Sequence, residues 1–281
     1  MFKSIMVCTD GSSYSETASE YGIHLAKKVG ARLIGLHVMD ARLLEGPLMA
    51  DISGWIGASP YAAQLPQFRE LLREKAEAIG EAFATACQEA GIAPEVTVRT
   101  GHPISVILEE SAKVELTVLG QKGEHAEFLG EMMGSTAERI SRHIRRPCLL
   151  TPAEFRPIRK ILAAYDGSAQ AGAALELAAE LAAALAVPLT ILTIAQKDDG
   201  EAARAAAANG VRMARDHGAE ADSVTMAVGR AGPAILQAAE ERNCDLIALG
   251  SIGHSRFREF FIGSAAAHVA ARSSRPVLMV R

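Results

Sequence analysis

KILAAYDGSAQAGAALELAAELAAALAVPLTILTIA, residues 160–195, decides the fold. It begins as an apolar run, KILAAY, that ends in Asp166-Gly167-Ser168. An Ala- and Leu-rich segment follows, and then a second apolar run, VPLTILTIA. Apolar runs without alternation, bounded by turn residues, read as strands covered on both faces, and the segment between them has helical length and composition. Strand, helix and strand joined this closely imply a parallel pair with a right-handed crossover.

The unit occurs twice. SIMVCTDGSS at 4–13 matches KILAAYDGSA at 160–169, and the helical segment and second strand after each match in turn. Further on, VTVRTGHPISVILEESAKVELTVLG parallels VTMAVGRAGPAILQAAEERNCDLIALG, and GSTAERISRHIRRPCLLTP parallels GSAAAHVAARSSRPVLMVR. A repeat of about half the chain is too long for a solenoid unit and right for a duplicated domain. Two prolines and several charges interrupt the pattern in TPAEFRPIRK, 151–160, which divides the chain into domains 1–153 and 154–281. Each half reads β-α-β-α-β-α-β-α-β. Strands are expected near 4–9, 32–39, 94–99, 115–119 and 147–151, and again near 160–165, 188–195, 222–228, 245–249 and 276–280.

Composition agrees. Hydrophobic residues make up 49% of the 281 and aromatics 5%, so the core is aliphatic, as suits a buried parallel sheet. A net charge of -4 and a pI of about 6.1 give no general reason to expect nucleic acid as a partner. Cys8, Cys87, Cys148 and Cys244 are scattered without a C-x-x-C pair and read as buried reduced thiols. A strand begins almost at Met1, leaving no room for a signal peptide, and the longest apolar run is too short to span a bilayer. A cytoplasmic protein without a membrane partner is expected.

After the fourth strand of the second half comes GSIGHSRFREFFIGS, 250–264. In an open parallel sheet, ligands bind beyond the carboxyl ends of the strands. Gly250 and Gly253 can present backbone N–H groups without an obstructing Cβ, and Gly263-Ser264 opens the last helix, whose free N–H groups and dipole favour a phosphate. Asp166, after the first strand, is an acceptor suited to ribose hydroxyls. The same residue types also make ordinary turns, and Ser264, Asp166 or Ser168 could simply cap a helix. No Walker P-loop and no G-x-G-x-x-G after the first strand occurs.

The first strand ending in Asp-Gly-Ser, the G-x-x-G-x9-G-S stretch and the closing strand RPVLMV resemble the universal stress protein family, and two copies in one chain resemble its tandem type. The resemblance covers essentially the whole chain. It implies an α/β fold of two Rossmann-like domains, each a five-stranded parallel sheet of order 3-2-1-4-5 between helices. It also implies binding of ATP or a related adenine nucleotide, ADP or AMP, in a stress response exerted through nucleotide-dependent signalling or partner association. Carried onto this sequence, Gly250, Gly253, Gly263 and Ser264 match the phosphate-binding positions, Asp166 the acidic position near ribose and adenine, and Ala195 the backbone beside the adenine edge. In the first half Asp10, Gly120, Gly123, Gly134 and Ser135 match, but ten residues rather than nine separate Gly123 from Gly134. The extra residue either bulges outward or displaces the helix start, and Lys122 could add a cation. The resemblance also has fifth strands meeting edge to edge, which here would join LLTPA to VLMVR within one chain and cover both edges.

Other features are weighed against this. The 41–65 insert, with Trp55, Ile56 and Tyr61, has no counterpart in the second half and reads as a packing or interface surface, through which two chains could associate, or as a lid. His102, His125 and His254 follow strands or sit in the Gly-rich loops, but no histidine joins an H-x-x-x-H or a cysteine pair, so no protein-made metal site is expected. Mg²⁺ would accompany ATP, held mainly by its phosphates. Arg256 and Arg258 read as a solvated loop face, and SRHIRRP and ARSSRP as basic helix ends. No Ser/His/Asp arrangement appears. Two alternatives stay open: a slow ATP hydrolase, which needs a positioned base and a metal, and an interaction scaffold whose first-domain site is vestigial.

Overall fold

The computed structural model describes residues 1–42, 65–124, 126–130, 132–195, 200–227, 229–251 and 263–281. The first half contains β1 (Ser4–Cys8), α1 (Ser13–Val29), β2 (Arg32–Asp40), α2 (Leu65–Glu89), β3 (Glu95–Gly101), α3 (Pro103–Ser111), β4 (Leu116–Gly120), α4 (Ser135–His143) and β5 (Cys148–Thr151). The second repeats the order with β6 (Ile161–Ala164), α5 (Ala169–Leu185), β7 (Leu189–Ala195), α6 (Gly200–Asp216), β8 (Ala221–Ala227), α7 (Ala231–Glu241), β9 (Leu246–Gly250), α8 (Ser264–Arg272) and β10 (Val277–Val280). The expected strands are all present, with ends shifted by a residue or two.

All ten strands form one sheet, ordered β3-β2-β1-β4-β5-β10-β9-β6-β7-β8. Within each half the strands are parallel, and the order is 3-2-1-4-5. The halves join where β5 and β10 pair antiparallel, Leu150 opposite Val277, Leu149 opposite Leu278 and Cys148 opposite Met279. The fifth strands therefore meet as expected, and neither edge is left open to another chain.

Paired residues across the junction share a face, so each face of the sheet is continuous through both halves. One face packs Ile5, Val7, Leu149, Leu278, Ile161 and Ile191 beneath α1 and α5. The other packs Met6, Leu150, Val277, Ile247 and Leu192 beneath α4 and α8, with Ile140 and Val269 at zero exposure. The strands are buried on both sides, which is why their sequences do not alternate. Ser12 and Ser168 fix the starts of α1 and α5, their hydroxyls accepting from the amides of Ser15 and Ala171. Gly30, at φ +69°, ends α1 in the left-handed region.

The segment between the halves is tied down. The hydroxyl of Thr17 donates to the carbonyl of Ala153 at 2.9 Å, and the Arg156 amide donates to the phenol of Tyr21 at 3.0 Å. The Phe155 ring packs 4.7 Å from that of Tyr21 and 5.8 Å from that of His24.

The four cysteines are unpaired, but Cys8 is only half-buried, because it stands at the open carboxyl end of β1. Burial raises every one of these thiols, Cys8 to about 12 and Cys87 and Cys244 to about 11, with the Asp10 charge adding at Cys8. Most of the 41–65 insert lies outside the described residues. Among those described, no helix is long and apolar enough to cross a membrane.

Candidate functional site

The order 3-2-1-4-5 puts the carboxyl ends of β1 and β4 side by side, and those of β6 and β9 likewise. Each pair opens a crevice between an Asp-Gly-Ser turn and a Gly-rich loop.

In both turns the glycine is left-handed, Gly11 at φ +81° and Gly167 at φ +82°, which an L side chain resists. The preceding aspartate braces the turn. Asp10 Oδ1 accepts from the Ser12 amide at 3.0 Å and from its hydroxyl at 2.5 Å, and Asp166 Oδ1 accepts from the Ser168 amide at 3.0 Å. The second oxygen of Asp10 lies over the Gly-rich loop: a Cβ on Gly123 would stand 2.6 Å from it. Asp10 and Gly123, predicted from separate motifs, are thus in contact.

Gly120 and Gly250 let the loops pass close to the first helices. A Cβ on Gly120 would meet Tyr14 Cβ at 2.7 Å and the Lys122 carbonyl at 2.8 Å. One on Gly250 would meet the carbonyl carbon of Gln170 at 3.0 Å and the Ala171 nitrogen at 3.1 Å.

The loops close in the same way. The Gly134 amide donates to the Gln121 carbonyl at 2.8 Å, and the Gly263 amide donates to the Ser251 carbonyl at 2.8 Å. Gly134 and Gly263 are the N-caps of α4 and α8, with φ and ψ of -62° and 143° in one and -62° and 146° in the other. The additional residue of the first loop therefore leaves the helix start where the second half has it. The first loop passes through a turn at Ala126–Phe128 and a left-handed Gly130, at φ +50°.

Ser135 and Ser264 are exposed first residues of these helices, not their caps, and neither helix has a side-chain cap. The capping alternative for Ser264 is thereby corrected: the cap is the preceding glycine, whose backbone is extended. Free amides at such a start need acceptors from elsewhere. Helices α3 and α7 also start without a side-chain cap, so this feature alone marks nothing. What sets α4 and α8 apart is a glycine cap held against the loop that leaves the neighbouring strand.

Ala195 closes β7, buried and in register with Ala227 of β8. Gly253, His254, Arg256 and Arg258 lie outside the described residues, as does His125. His102 is the N-cap of α3 on the far side of β2. Among the described residues no group of three or more His, Cys, Asp or Glu is placed to hold a metal ion. The basic clusters fall at the ends of α4 and α8, with Arg142, His143 and Arg272 in the last turns.

Lys122 interacts within its own loop and neighbourhood. Its ammonium donates to the Gly130 carbonyl and lies 5.8 Å from the centre of the Tyr14 ring. Sequence reasoning did not single out Tyr14, Gln121, Arg156 or Ser273. Gln121 donates from its side-chain amide to the Ser273 carbonyl at 3.0 Å, tying the first loop to the end of α8. The signal was the position next to Gly120, where the second half has a shorter serine.

The family model described as the universal stress protein family matches residues 1–152 and 157–281. A universal stress protein of Synechocystis is 33% identical over 287 residues, covering 99% of this chain and all of that one. The crystal structure of a universal stress protein from Archaeoglobus fulgidus covers 99% of this chain and 98% of that chain, with a TM-score of 0.76 and 24% identity. A universal stress protein solved in complex with cAMP covers 45% of this chain and 98% of that chain, at 28% identity and a TM-score of 0.40.

Proposed function

The chain belongs to the universal stress protein family, and from that premise we propose that each half binds one adenine nucleotide, ATP or a close relative, and that occupancy governs association with a partner in a stress response. The halves are taken as domains 1–153 and 154–281. In the second, Gly250, Gly253, Gly263 and Ser264 receive the phosphates, Asp166 the ribose, and the backbone at Ala195 the adenine edge. In the first, Gly120, Gly123, Gly134 and Ser135 take the phosphates and Asp10 the ribose.

The observation that carries this reading is the duplicated closure. Two glycine caps with matching backbone angles are held at 2.8 Å to the loop residue after β4 or β9. Each begins a helix that has no side-chain cap and whose first residue is an exposed serine. Backbone amides with a positive dipole end suit an anion, and the absence of a Cβ lets it approach. Asp10 fits a hydroxyl-rich ligand, since an ionised carboxylate only accepts hydrogen bonds.

Binding is favoured over turnover. Asp10 Oδ1 already accepts from the Ser12 amide and hydroxyl, so that oxygen is committed to bracing the turn rather than to drawing a proton from water. Mg²⁺, if it enters with ATP, would be carried by the phosphates.

The test is mass spectrometry of small molecules released from the purified protein, paired with a thermal shift. Ligand at 100-fold above Kd adds roughly 2.7 kcal/mol, and that should raise the melting temperature by several degrees. No released nucleotide together with no shift in ATP would end the proposal. Steady phosphate release that vanishes in Asp166→Asn would replace binding with hydrolysis.

A further inference from the structure

The sheet ends at β3 and β8, each bonded to a neighbouring strand on one side only. A row of backbone N–H and C=O groups on each therefore faces outward, a template for another strand. The two ends are not alike. β3 exposes the apolar side chains of Val96 and Val98, at 43% and 40%. In β8 the larger apolar side chains, Val224 and Met226, are half-buried. β3 carries one charge of each sign, Glu95 and Arg99, whereas β8 carries only Asp222. We propose that β3 is a contact surface for a second copy of this chain, the two β3 strands pairing antiparallel about a two-fold axis through Thr97.

The sequence of β3 fits itself in this register. A two-fold axis normal to the sheet keeps each side chain on its own face, so it must pass through a residue. Through Thr97 it sets Glu95 against Arg99 of the second copy, Val96 against its Val98, and Thr97 against its own counterpart. Opposite charges, β-branched pairs and paired threonines are the cross-strand pairs that stabilise an antiparallel ladder. An axis through Val96 or Val98 leaves neither Glu95 nor Arg99 opposite a charge. The edge is also regular. β3 follows β2 without a bulge from Glu95 to Gly101 and contains no lysine or proline, the usual devices that blunt an edge. Pro94, which has no N–H to give, stands outside the paired stretch 95–99.

The surrounding side chains extend the match. Val96 lies on the α2 face, where a Cβ on Gly80 would stand 3.0 Å from it. Arg99 lies on the α3 face, 3.0 Å from Glu110 and 3.6 Å from Glu109. Glu95 shares that face by strand alternation and is 3.6 Å from Arg32. Across the junction the order becomes Arg32, Glu95, then Arg99 and Glu109 of the second copy, alternating in sign. Exposed pairs of this kind fix register and exclude wrong partners more than they add affinity. The valines, covered on the opposite face, supply the apolar contact. The proposal does not rest on nucleotide binding in the crevices.

The test begins with the unaltered full chain. Sedimentation velocity over a range of concentration should show a monomer–dimer equilibrium. Hydrogen exchange of the amides in 95–99 should slow as the dimer fills, while exchange in β8 stays as it was. A chain that remains monomeric at high micromolar concentration overturns the proposal. So does a dimer that leaves exchange in β3 unaltered, which would put the contact on another surface. Species that keep growing with concentration also overturn it, since they would join β3 of one copy to β8 of the next. Register is read by charge reversal on these exposed side chains. Glu95→Arg and Arg99→Glu each set like charges opposite one another and should raise the dimer dissociation constant about tenfold or more. Mixed in equal amounts, the two variants bring opposite charges together at both positions and should recover association, although each still carries its own disturbed contact with Arg32 or with Glu109 and Glu110. No loss in either variant alone, or no recovery in the mixture, overturns the pairing about Thr97.

Discussion

GQKGEHAEFLGEMMGS, residues 120–135, and GSIGHSRFREFFIGS, residues 250–264, differ by one residue, ten between Gly123 and Gly134 against nine between Gly253 and Gly263. Their ends nevertheless meet alike, each N-cap glycine donating to the residue after the strand glycine at 2.8 Å. Spacing in sequence is therefore a poor measure of this site. The closing hydrogen bond and the backbone angles at the cap are alike in both copies although the number of residues between differs. The copies differ more where the loop meets the first helix: Tyr14 and the Lys122 carbonyl press on Gly120 more closely than Gln170 and Ala171 press on Gly250.

The most damaging way to break the equivalence is to fill one cap at a time. Gly134→Val and Gly263→Val should each abolish one nucleotide equivalent by calorimetry, a loss of about a thousandfold or more at the altered site. A Cβ at Gly134 would stand 3.2 Å from Lys122 Cα and 3.3 Å from the Gln121 carbonyl, so the loop itself must move. If Gly134→Val left the stoichiometry at two per chain, the first loop would close without binding, and the two copies would be alike in shape only.

Alanine at the strand glycines sharpens the same contrast. Gly120→Ala should cost about 3 kcal/mol and Gly250→Ala about 1 kcal/mol, read by denaturant unfolding. The former Cβ meets backbone and Cβ atoms at 2.7 and 2.8 Å, whereas the latter meets its neighbours at 3.0 Å or more. Equal costs would mean that α1 yields as easily as α5. Gly130→Ala should cost about 1 kcal/mol through its left-handed φ, with Gly130→Asn less damaging. Melting temperatures of the two variants check this, and equal losses would remove backbone conformation as the cause.

Much of this architecture was legible in the residues. Asp-Gly-Ser after an apolar run, found twice, located β1 and β6, and unalternating runs announced a sheet covered on both faces. The meeting of β5 with β10 followed from the family resemblance and from the cost of open edges. The fate of the tenth residue was not legible, because it depends on backbone angles that a spacing does not encode. Nor was Ser264's place inside the helix rather than at its cap, since serine suits both. Arg156 looked like part of a charged boundary. Only the Tyr21 phenol, which accepts from its amide across 135 residues, and Thr17, which donates to the nearby Ala153 carbonyl across 136, show the stretch tied to α1. Cys8 was expected to be buried because its strand is, yet as the last residue of β1 it is only partly covered.

The smallest expected effect concerns acid. His24 on α1 and Glu180 on α5 occupy matching places in the two copies, 156 residues apart like Asp10 and Asp166. Glu180 faces the N-terminus at 3.1 Å and the His217 ring at 3.7 Å. His24 instead edges the Phe155 ring, its Nε2 buried without a hydrogen bond, and burial, aided by the Lys28 charge, lowers its pKa from 6.5. Above 6.5 the ring is neutral in both folded and unfolded chains and leaves stability unchanged. As pH falls from 6.5 toward the lowered folded value, the unfolded chain takes up the proton first, so stability is lost across that window. His24→Gln should flatten the fall in melting temperature between pH 7 and pH 5 by a degree or so, roughly what a few tenths of a kcal/mol produces. If His24→Gln kept the same slope, the acid sensitivity would have to be sought elsewhere than at the packed face between α1 and the connecting segment.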